Sequence, residues 1–181
     1  MLVASVRTSE KTVMKKQHFI ANAWVDHGTG ETIAVIDPSN GKSLGDIARG
    51  SQQDVDAAVA AARTAIGDTF DGPWGMLTAL QRRRLMYGFS EAVTERIEEL
   101  AALEAADTGK SMKTARAHAV ALARYFEYYA GACDKLHGET LPYEAGYMVV
   151  TVREPHGVTA HIIPWNYPMQ IFGRTLGAAL A

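Results

Sequence analysis

The chain has 181 residues, which suits one ordinary domain or part of a larger one, and 48% of them are apolar with 21% charged, a globular balance. A net charge of -2 argues against an electrostatic nucleic-acid binder, and no apolar run approaches the ~18 residues of a membrane span. Cys133 is the only cysteine, which excludes an intrachain disulfide framework and points to a reducing, cytoplasmic setting.

In chain order, residues 1–17 lack the long apolar core of a secretory signal and read as a disordered leader. Residues 18–36, HFIANAWVDHGTGETIAVI, alternate apolar and polar side chains and predict a β-hairpin turning at Gly28-Thr29-Gly30. GTGETI begins like a dinucleotide fingerprint, but Ile33 stands where the third glycine belongs and no helix follows. Asp37–Gly41 reads as a turn and Ser43–Ala48 as a strand.

Ser51 opens a helix with a near capping box and an apolar stripe of Val55, Ala58, Val59, Ala62 and Ile66. Thr78 caps a second helix, in which Leu85, Phe89, Ala92 and Val93 share a face and Arg82-Arg83-Arg84 fan outward. A third helix spans roughly Glu95–Asp107 and stops at Thr108-Gly109-Lys110. The fourth, Ser111–Leu136, carries Tyr125, Phe126, Tyr128 and Tyr129 as core aromatics, and Cys133 as a small buried residue rather than a nucleophile. The six histidines show no ligand spacing, so no metal site is expected.

After Gly138 the pattern turns strand-like, with YMVVTV at 147–152 and VTAHII at 158–163 as two β-rich runs broken by Pro155 and Gly157. The second run reads as a buried strand. It leads into Pro164-Trp165-Asn166-Tyr167-Pro168, and Met169–Ala181 follows as a helix. A loop between a strand end and a helix is where open α/β sheets bind ligands. The two prolines stiffen the loop, and Asn166 offers uncharged N–H donors suited to an oxyanion hole. Trp165 offers a flat apolar face. The residues alone leave a second reading open: a structural turn with a packed tryptophan and an Asx-type hydrogen bond. Gly173 and Gly177, four apart, imply close packing of the last helix on a sheet.

Taken together, FIANAWVD, VIDPSNGKSLGDIARGSQQDVDAAVAAARTAI, LAALEAADTGK, RYFEYYAGACDKLHG and VREPHGVTAHIIPWNYP resemble, in order, blocks of the NAD(P)-dependent aldehyde dehydrogenases. The resemblance runs from about residue 18 to the end. It implies an α/β fold with an incomplete Rossmann-like cofactor domain: residues 18–138 as its N-terminal part, 139–156 as an oligomerisation segment, and 157–181 as the start of the Rossmann-like sheet. It implies oxidation of an aldehyde to a carboxylic acid through a thiohemiacetal and a thioester, with NAD or NADP as acceptor, by a homo-oligomer (dimer or tetramer).

Residue by residue, the resemblance makes Asn166 the side-chain donor to the tetrahedral oxyanion. Ile162, Ile163, Pro164, Trp165 and Asn166 become the cofactor wall, and Tyr167, Arg174 and Ala121 become substrate-tunnel positions. By analogy it also raises a monovalent cation near Val35, Ile36 and Asp107. The family's nucleophilic cysteine and general-base glutamate lie downstream of its PWN block, and Cys133 matches neither. The expectation is therefore an N-terminal portion of such an enzyme that does not turn over by itself. The alternative is a non-catalytic module that joins a full-length dehydrogenase subunit through Tyr147–Val152.

Overall fold

In the computed structural model, residues 16–26 and 28–181 are described. All but the last two residues of the expected leader lie outside them, as does His27. Strand β1, Gln17–Ile20, begins on the last residue of that leader and pairs antiparallel with β2, Ala23–Asp26. The turn is Ala21-Asn22, both at positive φ (51° and 62°), which suits the right-handed twist of a two-residue hairpin. Across it, the Phe19 and Trp24 rings sit 5.2 Å apart.

One long hairpin over 18–36 was expected, and two are found. The second joins β3, Thr32–Ile36, to β4, Ser43–Ala48, so Gly28-Thr29-Gly30 links hairpins rather than closing one. Gly-Thr-Gly is the more obvious local turn signal, but Ala21-Asn22 makes the turn, and Asn tolerates the left-handed region well. Asp37 organises the β3–β4 turn. Its carboxylate accepts from the Ser39 amide at 2.8 Å and from the Asn40 side-chain amide at 2.8 Å.

Five helices follow among the described residues, and the last four form the core. α1, Gln52–Ile66, opens with a full capping box between Ser51 and Asp54. α2, Ala79–Thr94, opens with another between Thr78 and Gln81. α3, Ile97–Thr108, ends at Gly109 in the left-handed conformation, which only glycine adopts without cost. α4, Met112–Ala132, is capped by Ser111 and is the central post, with α2, α3 and the last helix packed around it. Its buried face is Ala115, Ala119, Leu122, Ala123, Phe126 and Ala130. The alanines bring neighbouring backbones close, and Phe126 fills the space against Met86 and Val93 of α2. By contrast α1 buries no side chain, and Val55 and Val59 of its apolar stripe stay exposed.

Between α4 and the last helix the chain is mostly extended. β5, Thr140–Leu141, pairs with β6, Val149–Val150, so only two residues of the expected 147–152 strand join a ladder. Residues 158–163 make no ladder bonds, and no strand lies beside them among the described residues. The expected buried strand is an extended, largely exposed run here, because a strand exists only through its neighbours' hydrogen bonds. α5, Pro168–Leu180, follows with Pro168 in its first turn. Gly173 and Gly177 face helix α4, not a sheet. A Cβ at Gly173 would meet Leu122 Cδ1 at 3.0 Å, and one at Gly177 would meet Tyr129 Cδ2 at 2.8 Å. The missing side chains are what let α5 lie on α4.

Candidate functional site around the PWNYP loop

The chain arrives at the loop with successive side chains on opposite faces, as extended backbone requires. Ile163 turns inward over an apolar hollow of about 450 Å³ lined by Phe89, Leu100, Leu122, Met169 and Phe172. Ile162 turns outward and is 96% exposed. Pro164 is exposed as well, and Trp165 is 81% exposed. Of the expected cofactor wall, Ile162, Pro164, Trp165 and Asn166 are each exposed, while Ile163 anchors the run to the helices.

Asn166 is exposed, and its side-chain amide has no hydrogen-bond partner among the described residues. No Asx-type bond closes the turn. What holds the residue is its backbone carbonyl, which accepts from Lys110 Nζ. Lys110 in turn pairs with Glu104 Oε1 at 3.1 Å. The same oxygen lies 2.5 Å from His118 Nδ1. Tyr167 closes the group: its ring is 5.2 Å from the His118 ring, and Lys110 Nζ sits 4.8 Å from its centroid. Glu104 and His118 are buried.

The expected tunnel positions fall along one edge of α4. His118, Ala121 and Tyr125 follow at three- and four-residue spacing and share a face. His118 touches Tyr167, and the Tyr125 hydroxyl accepts from Arg174 Nε at 3.0 Å. Ala121 lies between them, so Tyr167, Ala121 and Arg174 border the same side of the α4–α5 pair.

Cys133 is remote from this group. It caps α4, is buried, and lies 3.5 Å from the Tyr129 carbonyl and 3.6 Å from Met86 Sδ. Burial pushes its thiol above the ordinary cysteine range, so it is a protonated packing group at neutral pH.

Sequence reasoning missed Glu104, Lys110 and His118. Glu104 and Lys110 are six apart and meet only because Gly109 reverses the chain after α3. For His118 the sequence offers only its lack of metal-ligand spacing to the other histidines. Acidic and basic residues flanking a Thr-Gly helix stop were the available signal.

The aldehyde dehydrogenase family profile matches residues 24–181. A mitochondrial family 2 member B4 aldehyde dehydrogenase of Arabidopsis thaliana is 41% identical over 170 residues, covering 93% of this chain and 31% of the relative. Among solved structures, a protein assigned as an aldehyde dehydrogenase from Burkholderia cenocepacia is 63% identical, with a TM-score of 0.85 over 91% of this chain and 34% of that one. The NAD+ complex of a Bacillus cereus aldehyde dehydrogenase is 36% identical with a TM-score of 0.86, covering 92% of this chain and 33% of that one. The chain thus spans about a third of the length of these relatives, and over that span its fold is theirs, including the partial Rossmann-like segment. No described helix is long and apolar enough to cross a membrane. The chain belongs to the aldehyde dehydrogenase family.

Proposed function

We infer that this chain contributes the oxyanion donor and one cofactor wall to an enzyme that oxidises an aldehyde to a carboxylic acid with NAD or NADP as acceptor. The observation that carries this reading is the unpartnered, exposed Asn166 amide on a loop fixed by two prolines and by Lys110. A donor held at a set position and free of internal bonds is ready to meet charge that develops on a substrate oxygen. When a thiolate adds to the aldehyde carbonyl, the oxygen becomes an alkoxide, and Asn166 Nδ2–H is the group we assign to it. That thiolate is not Cys133, which is buried and raised in pKa. Turnover therefore needs a nucleophile beyond these residues, and the 181 residues alone are expected to be inactive.

The exposed side chains of Ile162, Pro164 and Trp165, apolar, uncharged and adjacent in sequence to the donor, suit contact with a nicotinamide nucleotide. When bound, the nucleotide supplies the hydride acceptor. The residues here give it a flat surface to lie against and keep water off that side. The Bacillus cereus relative carries NAD+, which supports the assignment. Tyr167, Ala121 and Arg174 are assigned to the aldehyde's approach. Exposed Tyr147, Met148 and Val152 beside the short β5–β6 ladder are assigned to contact between subunits of a homo-oligomer. The lone free thiol suits the cytoplasm, the compartment we assign.

The test is Asn166→Ala in a full-length aldehyde dehydrogenase that carries this segment. We expect kcat to fall by ~10²–10³ with nucleotide affinity retained. An unchanged kcat, with chemistry shown to limit turnover, removes Asn166 from this role.

A further inference from the structure

Glu104 is an awkward residue to bury. Its side chain is 2% exposed, one carboxylate oxygen serves both Lys110 and His118, and the other oxygen is buried with no partner among the described residues. A buried, half-satisfied charge cluster contributes little to stability and often costs more than a packed apolar trio. What the cluster does achieve is to immobilise an ammonium. A lysine on a free four-carbon stem samples many rotamers, whereas this one is held by Glu104 from below and points at the PWNYP loop.

That ammonium makes two contacts on the loop, the Asn166 carbonyl and the Tyr167 ring. The carbonyl belongs to the planar Asn166–Tyr167 peptide. Fixing its direction fixes the plane on the C-terminal side of the asparagine, which leaves rotation about the Asn166 Cα–C bond as the main freedom by which Cβ can be re-aimed from that side. Pro164 already restricts the chain two residues earlier.

We propose that Lys110, held by a Glu104 that His118 in turn fixes, is a positioning residue that aims the Asn166 amide by pinning the Asn166 carbonyl. The proposal rests on the reading of Asn166 as the oxyanion donor. Lys110 reaches no substrate in this role and acts only through the loop. Misplacing a reacting group by about an ångström costs up to ~10²-fold in rate.

The test is a double-mutant cycle in a full-length aldehyde dehydrogenase whose first 181 residues are this chain, the remainder being taken from the Burkholderia cenocepacia relative. Single-turnover rate, KM, nucleotide affinity and Tm are measured for the parent, Lys110→Met, Lys110→Arg, Asn166→Ala and Lys110→Met/Asn166→Ala. Lys110→Met is expected to lower the rate by roughly 10- to 100-fold with KM and nucleotide affinity nearly unchanged. Lys110→Arg, which keeps a cationic donor, is expected to recover most of that loss. With Asn166 already replaced, Lys110→Met is expected to cost almost nothing more, because its route of action is gone.

A full loss on top of Asn166→Ala overturns the proposal, since Lys110 would then act by another path. So does a Lys110→Met rate equal to the parent's. If Asn166→Ala itself leaves the rate unchanged, the oxyanion reading fails first, an outcome distinct from failure of the lysine. Should Lys110→Met give no folded protein, Lys110→Gln of similar length replaces it with the same expectations.

Discussion

The α2–α5 bundle and the extended stretch from residue 139 to 167 divide the work of the molecule. In the bundle, Phe126, Met86, Ala115 and Ala119 are buried almost completely. In the stretch, Met148, Ile162 and Trp165 stand almost bare. The contrast shows that apolar character alone does not mark a core. Both regions are rich in it, but only the helices cover one another. The bundle is a rigid post, and the stretch presents surface from it. The Glu104–Lys110–His118 cluster is the joint between them.

Breaking the bundle should be costly, and stripping the stretch should not. Phe126→Ala is expected to destabilise the folded chain by ~3–5 kcal/mol in chemical denaturation, as for other large core aromatics cut to alanine. Ile162→Ala, at a nearly bare site, is expected to stay within ~0.5 kcal/mol. Equal losses at the two positions would erase the contrast. Gly177→Ala comes next. It drives a methyl group into Tyr129 and is expected to cost about 1–2 kcal/mol net of alanine's better helix propensity, read as a fall in Tm. A gain in Tm would show that α5 does not press on α4.

The helix caps probe a smaller scale. Thr78→Ala removes one capping box and is expected to cost about 1 kcal/mol by denaturation. The smallest effect is electrostatic. Hydrogen bonds from the Ser39 side chain and backbone hold the Asp37 carboxyl below its usual 3.8. A carboxyl lowered on folding contributes stability above its unfolded pKa, and that contribution is lost as pH falls through the folded value. Asp37→Asn should therefore flatten the acid side of a Tm-against-pH curve slightly. An unaltered curve would show that the turn does not bind its proton differently on folding.

Much of this arrangement was legible in the residues. Ser51, Thr78 and Gly109 mark helix ends that the structure keeps, and Val93 and Phe126 are buried as their helical spacing predicts, whereas Leu85 and Tyr128, expected on the same packing faces, are exposed. The PWNYP loop and its helix stood out because prolines and a Gly-x-x-x-Gly pair leave strong local traces. The rest depended on contacts far apart in sequence. Nothing local distinguishes a helix-facing glycine pair from a sheet-facing one. Nothing local says that Glu104, Lys110 and His118 meet, since the encounter is made by the chain reversal at Gly109 and by the tilt of α3 on α4. The extended run at 158–163 read as a buried strand because composition reports what a segment suits, while pairing depends on what lies beside it.

The central claim is that the PWNYP loop is a site and not merely a turn. The direct test measures the single-turnover rate and the Tm of Asn166→Ala together, in a full-length aldehyde dehydrogenase carrying this segment. The side-chain amide has no internal partner, so the account predicts a Tm within about 1 °C of the parent's, since surface changes of this kind are nearly neutral. It also predicts a rate lower by ~10²–10³. A lowered Tm with an unchanged rate would contradict it and make Asn166 a structural residue.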